Sequence, residues 1–157
     1  MNDSDESLAT ALFSEIFTAD QLARGHLTRA MPKGMELSHF SVLNHLARVG
    51  EERSPAQLAK SFHVTRGAMT NTLTKLEWAG YVHIRPDWDD ARRKFVSISP
   101  SGRQARDAAL QMITPMIADI VRQIGSDRIR EMLPVLRELR QKLDELGAVP
   151  LPEPGED

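Results

Sequence analysis

The stretch that decides the fold is residues 64–77, with the sequence VTRGAMTNTLTKLE. Its apolar residues Met69, Leu73 and Leu76 recur at the spacing of one buried helical stripe, which predicts an amphipathic helix. The opposite side carries short hydroxyls, an amide, a guanidinium and a glycine, and it lacks carboxylates and large apolar groups. Such a face suits the base edges and phosphates of DNA, whereas a catalytic pocket needs a base or a nucleophile. We interpret this stretch as a recognition helix that lies in a DNA groove.

A short helix is predicted immediately before the recognition helix. Residues 54–57, Ser-Pro-Ala-Gln, combine a serine cap, a proline at the first helical position and a glutamine that completes a capping box. The turn falls at residues 63–64, and Thr65 is placed to cap the recognition helix. Two helices joined by so short a turn form a helix-turn-helix.

A β-hairpin is predicted directly after the recognition helix. Gly80 can take the left-handed conformation that ends a helix. Residues 81–85 and 94–98 then alternate with period two around the charged loop 86–90, which predicts two strands. A hairpin that follows a helix-turn-helix makes a winged helix.

Long helices are predicted on both sides of this module. Residues 7–31 form the first, and the next is expected to begin at a Ser38 cap. Two more are predicted after the Ser99 cap and after Gly125, with a kink or break near Thr114 because Pro115 removes a backbone hydrogen bond. The terminal helices carry more apolar surface than a small winged helix can cover, and exposure costs about 25 cal/mol per Å². We infer a homodimer whose terminal helices interleave. It carries two separate DNA-binding winged helices, one per chain, which we call reading heads.

The expected fold class is therefore mainly α with a small β-wing: a winged helix-turn-helix flanked by N- and C-terminal dimerisation helices. The predicted domains are an N-terminal dimerisation helix (1–35), the winged helix-turn-helix DNA-binding domain (36–99), C-terminal dimerisation helices (100–148) and a disordered acidic tail (149–157).

Composition excludes several classes of protein. The chain of 157 residues has no cysteine, so disulfides and Cys-based zinc sites are excluded. The five histidines lack the spacing of metal ligands, and we expect no metal or cofactor. The acidic N-terminus lacks the pattern of a secretory signal, and no apolar run approaches the roughly 18 residues of a membrane helix. A cytoplasmic location and no membrane partner are expected by elimination.

Charge is distributed unevenly along the chain. Residues 53–106 hold ten Lys and Arg against four Asp and Glu, a local charge of +6, and the remainder carries −8. A local cation on an acidic molecule points to a polyanionic partner for that segment. A solvated basic face without a partner is the alternative.

Residues 54–103 resemble the winged helix of the MarR family of bacterial transcription regulators, and the flanking helices agree in order and length. The resemblance implies a homodimer that binds a pseudo-palindromic operator in double-stranded DNA, usually as a repressor, and that is often released by a small aromatic or phenolic effector. Asn71 stands where arginine is frequent and Thr74 where a carboxylate is common, departures that bear on the operator sequence rather than the mode of binding. The matching features are Leu58-Ala59, the run from Thr70 through Lys75-Leu76-Glu77 to Gly80-Tyr81-Val82, the wing segment Asp90-Ala91-Arg92-Arg93, and Ile98-Ser99 with Gly102-Arg103.

The wing arginine Arg92 is the strongest single candidate for a DNA contact, because an arginine at a wing tip can enter a narrow minor groove. The resemblance implies that Asp90 holds its guanidinium in a fixed bidentate geometry. The alternative is an ordinary surface ion pair, worth about 0–1 kcal/mol.

Among the major-groove candidates, Asn71 is able to pair with adenine and Arg66 with guanine or a phosphate, although a merely solvated polar face has the same composition. The predicted DNA-binding residues are Thr65, Arg66, Gly67, Thr70, Asn71, Thr74, Lys75, Asp90, Arg92, Arg93 and Lys94.

Four methionines, Met31, Met35, Met112 and Met116, are candidates for an effector cavity between the dimer helices and the reading head. Methionine in an apolar stripe is more often a core filler, and that interpretation stands beside the functional one.

The predicted function is a homodimeric, sequence-specific DNA-binding transcription regulator. A winged-helix protein-interaction module without operator binding is the alternative, and an enzyme is not expected because paired carboxylates, an activated nucleophile and a phosphate-binding loop are missing.

Overall fold

The computed structural model describes residues 3–147, and the predicted tail 149–157 lies outside the described residues. Within them the chain forms six helices and one antiparallel hairpin. None of these helices is long and apolar enough to cross a membrane. The elements are α1 (Asp3–Ala30), α2 (Leu37–Val49), α3 (Pro55–Ser61), α4 (Arg66–Trp78), β1 (Val82–Pro86), β2 (Lys94–Ile98), α5 (Pro100–Ile124) and α6 (Ser126–Gly147).

The chain divides into two compact units between Thr114 and Pro115. The first unit holds α1 to α4, the hairpin and the start of α5, and the second holds the rest of α5 and α6. Of the kink or break predicted near Thr114, the break is wrong, because α5 continues through Pro115 to Ile124. Gln111, whose carbonyl loses its helical partner at Pro115, lies on the exposed side of the helix, where water can take the place of that partner.

The core of the first unit lies under the predicted recognition helix. Met69, Leu73 and Leu76 of α4 are all buried, which confirms the predicted stripe. They pack with leucines from α2 and α3 and with Val96 of β2. The largest fully buried side chains are Leu43, Leu46, Leu58, Leu73, Leu76 and Val96.

The caps of α3 and α4 form as the sequence predicts. The Ser54 amide donates to Gln57 Oε1 at 2.9 Å, and the Gln57 amide donates to Ser54 Oγ at 3.1 Å, which completes the capping box. The Ala68 amide donates to Thr65 Oγ1 at 3.1 Å and so fixes the start of α4. Between the two helices, His63 takes a left-handed conformation with φ of 52°.

The start of α2 differs from the prediction. The helix begins at Leu37 with Glu36 at the cap, and the expected Ser38 cap is wrong. The Glu36 side chain makes no capping bond, because it faces Lys75 and His39 instead.

The hairpin pairs β1 with β2, with Ile84 opposite Val96. The first strand begins and ends one residue later than predicted, so Pro86 belongs to the strand and not to the loop; the second strand has the predicted bounds. Arg53, which precedes α3, forms an isolated antiparallel bridge with Val96 on β2, and the sequence did not reveal this bridge. Its amide donates to the Val96 carbonyl at 3.0 Å, and the Val96 amide donates to the Arg53 carbonyl at 2.8 Å. The base of the wing is thereby joined to the loop before α3.

The start of α5 is anchored on the end of the recognition helix. Ser99 is buried, its amide donates to the Tyr81 carbonyl at 3.0 Å, and its hydroxyl donates to the Gly80 carbonyl. The same hydroxyl accepts from the Gly102 amide at 3.0 Å, which confirms the predicted cap. A Cβ added to Gly102 would overlap the Tyr81 carbonyl oxygen, so this position requires glycine.

Candidate nucleic-acid interface

The exposed face of α4 is polar and has no carboxylate among its central residues. Arg66, Gly67, Thr70, Asn71 and Thr74 are all exposed to solvent. The Thr74 hydroxyl donates to the Thr70 carbonyl at 2.9 Å, which leaves its oxygen lone pairs as acceptors on this face. The face therefore offers amide, hydroxyl and guanidinium groups to an external partner.

A groove joins this face to the wing. It encloses a cavity of about 670 Å³ between the start of α3, the first half of α4 and the second strand. Arg66 and Thr70 line it from α4, and Arg92, Arg93 and Lys94 line it from the wing. The fold thus brings together cationic and polar groups that the sequence separates by more than twenty residues.

The wing loop is held closed by hydrogen bonds within it. The Asp87 amide donates to the Arg93 carbonyl at 3.0 Å, and the Arg93 amide donates to the Asp90 carbonyl at 2.9 Å. Asp90 Oδ1 accepts from the Arg92 amide at 3.0 Å and from Arg92 Nε at 3.4 Å. The expected bidentate pairing of carboxylate and guanidinium is wrong, because one carboxylate oxygen accepts both bonds. The Arg92 side chain is 94% exposed, so its guanidinium projects from a loop that is itself fixed.

Lys75 is set apart from the other predicted contacts. Its Nζ lies 3.4 Å from Glu36 Oε1, and it lines a different cavity from the groove. The position of Lys75 at the edge of the α4 stripe explains this placement, since that edge faces the start of α2. Lys75 therefore lies outside the groove that other predicted contacts line, and its contact with DNA stays a prediction.

Several cations of the +6 segment are paired with carboxylates. Arg53 lies 3.2 Å from Glu51, and Arg106 lies 2.8 Å from Asp107. Five other cations of the segment form no ion pair with any residue in the range 3–147: Lys60, Arg66, Arg93, Lys94 and Arg103. Three of these unpaired cations, Arg66, Arg93 and Lys94, line the groove, so the charge available to a polyanion is concentrated there.

Sequence reasoning missed the ion pair that fixes the wing. Arg85 Nε donates to Glu52 Oε1 at 2.8 Å, and Arg85 Nη2 donates to Glu52 Oε2 at 2.6 Å. The hydrogen bond from Arg85 lowers the pKa of Glu52, so this carboxylate keeps its charge to a lower pH than an ordinary glutamate does. The Arg85 guanidinium also lies 4.8 Å from the centre of the Phe95 ring. No local pattern signals this pair, because its partners are 33 residues apart.

The four methionines predicted to line an effector cavity have different surroundings in the structure. Met35 lines a cavity of about 610 Å³ together with Glu36, Lys75 and Tyr81. Met31 is buried in a second apolar cluster, as a core filler would be, and Met112 is 53% exposed. Met116 belongs to the second unit. Within residues 3–147, no group of three or more acidic or histidine side chains is arranged to hold a metal ion.

Sequence comparison relates the chain to known regulators. The family model described as "MarR family" matches residues 33–93. The chain is 29% identical over 112 residues to the transcriptional activatory protein BadR of Rhodopseudomonas palustris, a match that covers 69% of this chain and 64% of BadR. It is 30% identical over 128 residues to an uncharacterised HTH-type transcriptional regulator of Mycobacterium leprae, covering 82% of this chain and 87% of the relative.

Comparison with solved structures gives the same fold. The transcriptional regulator BldR of Sulfolobus solfataricus matches with a TM-score of 0.77 and 26% identity, over 90% of this chain and 99% of BldR. A mutant MarR of E. coli, solved in complex with operator DNA, matches with a TM-score of 0.74 and 20% identity, over 88% of this chain and 99% of that one. Both are winged-helix structures of the mainly helical class predicted from the sequence.

Proposed function

The chain belongs to the MarR family of transcription regulators, whose members are not enzymes. We propose that it is a homodimeric repressor that binds a pseudo-palindromic operator in double-stranded DNA. The observation that carries this proposal is the groove in which the polar face of α4 meets three wing cations, Arg92, Arg93 and Lys94. A winged helix of this kind can place its recognition helix in the major groove and its wing in the flanking minor groove.

In this proposal Arg66, Thr70, Asn71 and Thr74 face the major groove. All four are exposed, and they come from successive turns of one side of α4. Gly67 lies among them, and a Cβ there would have no neighbour within 4 Å, so the glycine leaves room for close approach of a DNA backbone. Thr65 is occupied as the cap of α4, which supports a positioning role for its hydroxyl.

The wing supplies the remaining contacts of the proposed complex. Arg92 would enter the minor groove, with Asp90 fixing the loop from which it projects. Arg93 and Lys94 are exposed and unpaired among the described residues, which suits phosphate contacts that add affinity without reading sequence.

Exposed apolar side chains support the proposed homodimer. In the first unit, α1 exposes Leu8 and Phe17, each to 67%. In the second unit, α6 buries none of its residues and exposes Leu143 and Leu146. Surfaces of this kind are costly in water, and a second copy of the chain would cover them. We therefore propose residues 1–35 and 100–148 as the dimerisation regions and residues 36–99 as the reading head.

The cytoplasmic location stays a prediction.

The cavity lined by Met35 is the proposed place for an aromatic or phenolic effector. Tyr81 and Leu76 offer apolar contact, and the Lys75 ammonium can pair with a carboxylate in place of Glu36. Since Lys75 and Leu76 belong to α4, a ligand here acts directly on the recognition helix. Such a ligand weakens DNA binding only if it binds the DNA-incompatible conformation more tightly.

The effector proposal predicts the behaviour of Lys75→Met. Salicylate should weaken operator binding by the wild-type protein and should have little effect on the variant, because the ammonium that pairs with its carboxylate is gone. Operator affinity without salicylate should stay within about twofold of the wild type, since Lys75 lies outside the groove. Anisotropy of a labelled duplex measures both quantities. Equal responses of the two proteins to salicylate would contradict the proposal that the effector binds in this cavity.

The proposed function is tested by selecting bound duplexes from a random-sequence pool and titrating salt against the enriched fragment. We expect an inverted repeat with half-sites about 10 bp, or 34 Å, apart, and an affinity that falls steeply as salt increases. Enrichment of an isolated half-site would contradict the dimer. Failure to retain any duplex, together with salt-insensitive binding of a protein partner, would instead favour the interaction module.

A further inference from the structure

The tip of the wing carries an exposed tryptophan beside the proposed minor-groove arginine. Trp88 is 85% exposed, in a protein whose apolar side chains include only two tryptophans. The bond between the Asp87 amide and the Arg93 carbonyl closes the loop, so Trp88 and Arg92 are the next residues on its two sides. One closed loop therefore carries both an exposed indole and an exposed guanidinium.

The loop does not use Trp88 for its own stability. Its shape is fixed by the Asp89 amide, which donates to Asp87 Oδ1 at 3.0 Å, and by the Asp90 bonds to Arg92 and Arg93. An indole left in water forgoes the free energy of burial that a large aromatic side chain gains in a contact. Its exposure on a preformed loop therefore favours a role in an external contact.

We propose that Trp88 is a second wing contact, an indole that packs along the deoxyribose wall of the minor groove beside Arg92. This inference rests on the proposed function. Apolar side chains are used by minor-groove-binding proteins, where sugar C–H groups and base edges offer apolar surface. Arg92 would supply the attraction to the groove, and Trp88 would add contact area that carries no charge.

The carboxylates of the loop decide which part of DNA the indole meets. Asp87 and Asp90 accept hydrogen bonds from loop amides, so both are engaged within the loop. Asp89 remains exposed next to Trp88 and would be repelled by phosphate. This edge of the wing therefore suits the sugar surface rather than the phosphate oxygens. Arg93 and Lys94, at the end of the loop and the start of β2, can reach the phosphates instead.

Single-tryptophan variants test the contact directly. Trp78→Phe leaves Trp88 as the sole tryptophan, and Trp88→Phe leaves Trp78, which is 88% exposed at the end of α4 and about 12 Å along the helix from Thr70. Acrylamide quenching is measured with and without a saturating enriched duplex whose binding is monitored by anisotropy. We expect the duplex to protect Trp88 severalfold and to protect Trp78 less. Unchanged quenching of Trp88 in a proven complex would overturn the inference and leave the proposed function intact.

Salt dependence distinguishes an apolar contact from a phosphate contact. Trp88→Ala should raise Kd by roughly tenfold, through lost apolar burial, without changing the slope of log K against log salt. Arg93→Ala should reduce that slope by about one per protomer. An unchanged Kd for Trp88→Ala, or a reduced slope, would overturn the inference. A protein that retains no duplex at all would overturn the proposed function together with it.

Discussion

Replacing Arg92 with alanine is expected to weaken operator binding on the order of 10²-fold, because a homodimer loses the contact twice. A good arginine contact to a base edge is worth about 1–3 kcal/mol, and two copies at the low end of that range already give about 2 kcal/mol. The loop that carries Arg92 is closed by main-chain hydrogen bonds and by Asp90, so little entropy is lost when the guanidinium enters the groove. Fluorescence anisotropy of the selected duplex measures the change.

Two control variants separate this effect from a loss of charge. Arg48→Ala removes another exposed arginine of the 36–99 region, one that does not line the groove, and it should leave affinity nearly unchanged. Arg92→Lys keeps the charge but loses the planar guanidinium, so it should restore only part of the affinity. If Arg92→Ala binds as tightly as the wild type, the pair with Asp90 is an ordinary surface ion pair and the wing has no part in recognition.

Replacing Gly102 with alanine is expected to lower the free energy of unfolding by about 2–3 kcal/mol. The added Cβ would overlap the Tyr81 carbonyl oxygen, and the Ser99 amide holds that carbonyl by a 3.0 Å hydrogen bond. Neither the helix nor the start of the hairpin can move without breaking this bond. The side chain of Ile98 also lies close to the added atom, but a side chain can rotate away and backbone cannot.

Gly67 offers the matched control for this substitution. It is also helical, and a Cβ there would have no neighbour within 4 Å, so Gly67→Ala should be neutral or stabilise the fold by about 0.5 kcal/mol. Urea unfolding monitored by circular dichroism gives both midpoints, and an unchanged slope shows that compactness is preserved. Equal midpoints for the two variants would mean that the contact between Gly102 and Tyr81 relaxes at little cost.

The parts of the fold that follow from local chemistry could be predicted from the sequence. The caps at Ser54, Thr65 and Ser99 each need residues only three positions apart, and all three form. The stripe of α4 is equally local, since helical spacing alone places Met69, Leu73 and Leu76 inward. The same spacing placed the exposed polar face of α4 on the side where the groove lies.

Features that join distant parts of the chain could not be predicted in this way. The pairs Lys75–Glu36 and Arg85–Glu52 span 39 and 33 residues, and neither has a sequence pattern of its own. They also change the charge available to a polyanion, because carboxylates before residue 53 neutralise cations within the +6 segment. The Ser38 cap was predicted from residue type alone, whereas the start of α2 at Leu37 puts Glu36 in the cap position.

The attachment of the wing has a consequence for how DNA would be released. Two main-chain bonds between Arg53 and Val96, with the Glu52–Arg85 pair beside them, bind the hairpin to the loop ahead of α3. Folding the hairpin back from a duplex would break this ladder, so hairpin and helix should leave the operator as one rigid piece. Regulation would then work by changing the spacing and tilt of two intact reading heads, each of which an effector bound against α4 would displace as a whole.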